Sequence, residues 1–143
     1  MLHLDIFSYN MHKDVLTWLA SLKIKNIKLN RLGVAYDAIS KIASNYDLGL
    51  VLYKGHNTNY QYNAPNKLFE YLVCGLDVWI PNVLKGCKPY LNEDTRPFVL
   101  EVNYNKLSMA NLNGIIEKRE VAERYIPYNV EDEGFQLLKQ MKC

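Results

Sequence analysis

Three polar side chains follow a proline inside an otherwise apolar run, YNAPNKLFEYLVCGLDVWIP, spanning Tyr62 to Pro81. They are Asn66, Lys67 and Glu70. Pro65 suits the first turn of a helix, because its missing N–H would be unpaired there and its fixed φ is helical. The start of a helix carries backbone N–H groups without intrahelical acceptors, and these attract an anion. Asn66 and Glu70 are four positions apart and share one side of such a helix, with Lys67 beside them. A carboxylate one turn inside the helix would be repelled by a phosphate bound directly against it. It is well placed to accept hydrogen bonds from an adjacent diol, each contributing about 1.5–3 kcal/mol. Phosphate at the helix end and diol one turn along describe a nucleotide. The same spacing also allows a plainer arrangement, in which Glu70 is a solvated helix residue paired with Lys67.

The elements that must position these groups alternate along the chain. Leu2–Ser8, Asn26–Leu29, Asp47–Tyr53, Asp77–Ile80 and Phe98–Val102 read as strands. Helical spacing of apolar residues falls at Asp14–Leu22, Tyr36–Ser44 and Asn66–Cys74, with Gly75 as a C-terminal stop. Within Asn66–Cys74 the pattern sends Leu68, Phe69, Leu72 and Val73 to the sheet. Weaker helical patterns occupy Met109–Lys118 and Glu131–Met141, and Lys54–Asn63 reads as a polar loop. Strands separated by helices imply crossover connections and a parallel sheet. The expected fold is therefore α/β: a Rossmann-like parallel sheet of about five strands with helices on both faces. Ligands in such sheets bind beyond the carboxyl ends of the strands. The helix beginning near Pro65 follows the strand Asp47–Tyr53 and starts at that edge.

Composition narrows the alternatives. At 143 residues a single domain over 1–143 is expected, large enough to bury a core. A net charge of +2 gives no argument for nucleic acid. No apolar stretch reaches the roughly 20 residues of a membrane-spanning helix, and the N-terminus lacks a secretory pattern. Three cysteines without short spacing fit neither a disulfide framework nor a zinc site, and a cytoplasmic setting follows as an expectation. The three histidines form no ligand pair, so neither metal nor cofactor is expected. Tyr53, Tyr60 and Tyr62 crowd the loop before Pro65, where they serve either as a stacking surface or as loop packing.

The stretch Ala64-Pro65-Asn66-Lys67-Leu68-Phe69-Glu70-Tyr71-Leu72-Val73-Cys74-Gly75 resembles the donor-binding C-terminal half of GT-B glycosyltransferases of the "glycosyl transferases group 1" type. Asn45–Leu50 (NYDLGL) is similar to that family's strand entry, Arg31–Val34 (RLGV) to its turn, and Tyr128–Leu138 to its closing helix. The resemblance implies half of a GT-B fold that binds a nucleotide-diphosphate-sugar as substrate. Glu70 would hold the ribose hydroxyls, the backbone N–H groups of Asn66, Lys67 and Leu68 would face the diphosphate, and Leu32, Gly33 and Val34 would flank the base. The implied reaction moves a sugar to an acceptor hydroxyl, in surface polysaccharide biosynthesis. No Asp-x-Asp element is present, which suits a metal-free site.

The chain departs from the family at Tyr62, where many members carry a second glutamate, at Asp77, where proline is usual, and at Ser8-Tyr9-Asn10, where glycine is common. By the same resemblance the chain begins at the family's second strand. The acceptor-binding domain, the first strand and a cationic pair would then lie elsewhere, and this chain alone would be catalytically incomplete. The acceptor, a glycan or lipid-linked glycan, and any peripheral membrane association would come through that other domain. A non-catalytic nucleotide-binding or interaction module of Rossmann-like fold is the alternative.

Overall fold

Asp77-Val78-Trp79-Ile80-Pro81 is a five-residue run in which every residue is buried. Burial on both faces makes such a strand a near-continuous apolar run rather than an alternating one. In the computed structural model, which describes residues 2–108, 112–114, 116 and 117, this run is the middle strand of a parallel three-stranded sheet. The order is β3 (Leu48–Leu50), β4 (Asp77–Pro81) and β5 (Val99–Val102), with Gly49 opposite Val78 and Trp79 opposite Leu100. Val78 and Ile80 join one apolar cluster with Val51, Leu68, Leu72 and Leu84. Trp79 points the other way, into a cluster with Phe98, Leu100 and Val102. The alternation is that of a pleated strand sandwiched between two layers.

The chain divides into two compact units, Met1–Ile42 and Ala43–Cys143. The first is a parallel βαβ unit, in which β1 (Leu4–Phe7) pairs with β2 (Ile27–Asn30) through α1 (Lys13–Ser21). The exposed His12 caps α1, its Nδ1 accepting from the Asp14 N–H at 3.4 Å. None of the described residues of this unit is fully buried; Trp18 is 59% exposed. A 3-10 turn over Tyr36–Ala38 leads into the short α2 (Ile39–Ala43), where the sequence suggests one longer helix. The fold is thus α/β, and the five strands among the described residues all lie in parallel pairings, divided between a two-stranded and a three-stranded sheet.

The second unit also contains α3 (Thr58–Tyr62) and α4 (Asn66–Val73). The sequence places α3 inside a polar loop. It is too short to show an apolar stripe, but Asn57 caps it, accepting the Tyr60 N–H at 2.9 Å. The β3 strand is shorter than its apolar run, because Leu52 and Tyr53 turn out to 66% and 40% exposure. The closing segment Tyr128–Leu138, the pattern at Glu131–Met141 and much of Met109–Lys118 lie outside the described residues.

Candidate functional site

The site is built on α4, and its geometry follows from both helix ends. Pro65 is the N-cap rather than part of the first turn, with φ −72° and ψ 146°. Its carbonyl accepts the Leu68 N–H at 2.9 Å. Proline has no side-chain acceptor, so the helix start has no side-chain cap. The N–H groups of Asn66 and Lys67 precede any intrahelical acceptor. At the other end Gly75 has φ +73°, a conformation glycine adopts without penalty. Its N–H donates to the Leu72 carbonyl at 2.9 Å and that of Leu76 to the Tyr71 carbonyl at 3.0 Å, which stops the helix sharply.

Leu68 and Leu72 are buried against the sheet, as the spacing requires. Phe69 flanks them and meets Tyr90 edge-to-face, with ring centroids 5.0 Å apart. Val73, expected on the same side, is 49% exposed. It lies about 140° around the helix from Leu68, and the half-buried Tyr71 takes the other flank instead. Burial raises the Tyr71 phenol above its ordinary range. Leu68 is therefore a core residue, and the N–H that the resemblance assigns to a diphosphate already belongs to Pro65.

Away from the sheet, Pro65, Asn66, Lys67 and Glu70 line an open pocket of about 340 Å³. Tyr53, Tyr60, Asn63 and Leu84 complete it. Pockets of this size accommodate small ligands. Helix side chains lean toward the helix N-terminus, which brings Lys67 and Glu70 toward the start of α4. Lys67 Nζ donates to Glu70 Oε2 at 2.5 Å. The Glu70 side chain is 18% exposed and that of Lys67 45%. The hydrogen bond it donates to Glu70 holds the Lys67 ammonium above its ordinary range, outweighing burial, which acts in the opposite direction. Glu70 thus lines the pocket and is paired with Lys67, as the plainer arrangement expects, but it is largely enclosed rather than solvated.

The remaining sequence candidates fall in the first unit. Leu32 is 93% exposed, Val34 is half-buried, and Gly33 turns at φ +65° against Tyr9. Asn63 and Leu84 carry no advance signal in the sequence, being an isolated amide and an apolar residue. Tyr53 and Tyr60 do: their rings stack at 6.3 Å between centroids, with His56 4.9 Å from Tyr60. Tyr62, by contrast, carries Lys85 over its ring at 5.2 Å and lies off the pocket lining.

Among the described residues there is no cluster of three metal-binding side chains, and no helix is long and apolar enough to cross a membrane. Cys74 and Cys87 are free, and burial raises both thiols above their ordinary range, opposite to the direction that activates a nucleophile. Comparison with known proteins returns no matching family model, no matching curated protein and no matching solved structure.

Proposed function

We propose that the second unit binds the nucleoside diphosphate portion of a nucleotide-sugar, as the donor half of a glycosyltransferase that passes a sugar to an acceptor hydroxyl. One observation carries this: the Glu70 carboxylate, the Lys67 ammonium and the uncapped start of α4 share one pocket. The pocket offers an anion site and a diol site within one helical turn, the spacing of phosphate and ribose in a nucleotide. The resemblance of Ala64–Gly75 to the donor motif supports the same assignment. When the sugar–phosphate bond breaks, its electron pair stays on the departing diphosphate. Fixed N–H donors and a cation aimed at that charge lower the barrier. An acceptor site supplied by a further domain, a cytoplasmic location and a role in surface polysaccharide assembly belong to the same proposal.

Calorimetric titration of UDP, GDP and ADP into the wild-type protein and Glu70→Ala tests it. Wild type is expected to bind at least one of them. The substitution should weaken that ligand by about tenfold to a hundredfold, the equivalent of roughly 1.5–3 kcal/mol for one charge-assisted hydrogen bond. Superimposable isotherms would remove Glu70 from the site.

A further inference from the structure

The donor-site reading leaves one contact unexplained: the carboxylate that should receive the diol is already bonded to a lysine from the same helix. Resting on that reading, we propose that the Lys67–Glu70 pair is an exchangeable internal plug that makes the pocket selective for ligands carrying a phosphate and a neighbouring diol on one molecule. Lys67 and Glu70 are three positions apart on α4, and both line the pocket. In the free protein each neutralises the other at 2.5 Å. Lys67 is the more exposed partner and sits in the first turn, within reach of any anion at the uncapped helix start. Glu70 is the more enclosed one, so separating it from Lys67 without replacement leaves a poorly hydrated carboxylate.

The consequences differ by ligand. A phosphate alone draws Lys67 away, but it strands Glu70 as an unpaired negative charge beside a second one. A nucleoside alone offers hydroxyls to Glu70, but must compete with a charged donor already in place. A nucleoside diphosphate supplies both replacements together: phosphate oxygens for Lys67 and ribose hydroxyls for Glu70. Every charged group then ends paired, and the two halves of the ligand assist each other. The device is built from two side chains of one helix.

The test titrates pyrophosphate, the matching nucleoside and the nucleoside diphosphate against wild type, Glu70→Gln, Lys67→Met and Lys67→Arg, all as the full chain. Lys67→Met is expected to tighten nucleoside binding by about fivefold, the equivalent of an ion pair at the upper end of the surface range. It should weaken the diphosphate, which loses its cation. Glu70→Gln should tighten pyrophosphate by at least about fivefold and weaken the diphosphate. Lys67→Arg, which retains the charge, should keep the wild-type order of the three ligands. The nucleoside arm is decisive, because relief of charge repulsion does not act on a neutral ligand. If the diphosphate binds wild type while Lys67→Met leaves nucleoside affinity unchanged or lower, the exchange is overturned and the donor site stands. If no nucleoside diphosphate binds wild type, the donor site itself fails, and the exchange fails with it.

Discussion

Two acids seven positions apart meet opposite fates. Glu70 opens onto a pocket, whereas Asp77, at the start of β4, is 4% exposed. Asp77 Oδ1 accepts the Phe98 N–H at 3.0 Å and stands 3.6 Å from Arg96 Nε. It therefore ties the segment entering β5 to the head of β4, where the resemblance would place a proline. Removing the carboxylate leaves the Phe98 N–H without its buried acceptor and the half-buried Arg96 without its counter-charge, at about 1–3 kcal/mol. Asp77→Ala should lower the unfolding free energy by that order in a urea titration. A loss below about 1 kcal/mol, the range of a surface pair, would show that the contact is not structural. Nothing in the spacing around Asp77 reveals this role, since its partners lie about twenty residues downstream. The Glu70 pairing was legible because its partner, Lys67, is three positions away on the same helix.

At the scale of elements, α4 was readable from its punctuation. Pro65 and Gly75 mark its two ends, and Leu68 and Leu72 fix its buried face. Its seating on the sheet was not readable. A methyl group at Gly49 would overlap the Tyr71 ring, so the close approach of α4 to β3 depends on the missing side chain. Spacing within α4 cannot show that, because Gly49 lies on another element. Gly49→Ala should destabilise the protein by about 1–3 kcal/mol through overpacking, and Tyr71→Leu in the same chain should recover part of the loss. Equal stability of Gly49→Ala and wild type in chemical denaturation would place the ring elsewhere. The short α3 was illegible for another reason: five residues hold too little periodicity, and its signal reduces to the single cap at Asn57.

At the scale of the molecule, strand order along the chain announced an α/β fold with parallel pairing. It did not announce that the strands of the described residues would be shared between two sheets, since which strands pair depends on contacts far apart in sequence. The two units also differ in how much they bury. All five residues of β4 are enclosed, while none of the described residues of Met1–Ile42 is. Few buried apolar contacts mean a low local free energy of opening. Amide hydrogen exchange should accordingly be fastest for Leu4–Phe7 and Ile27–Asn30, and slowest for Val78–Ile80. Uniform protection across both sets would contradict a difference in local stability.

The proposal that Glu70 holds a ribose diol is tested most directly by removing the diol rather than the acid. The best-binding nucleoside diphosphate and its 2′,3′-dideoxy counterpart would be titrated into wild type and Glu70→Ala. A carboxylate seated on the diol predicts that wild type prefers the complete ribose by about tenfold or more, and that Glu70→Ala loses most of this preference. The same preference in both proteins would contradict it, because the hydroxyls would then be recognised by something other than Glu70.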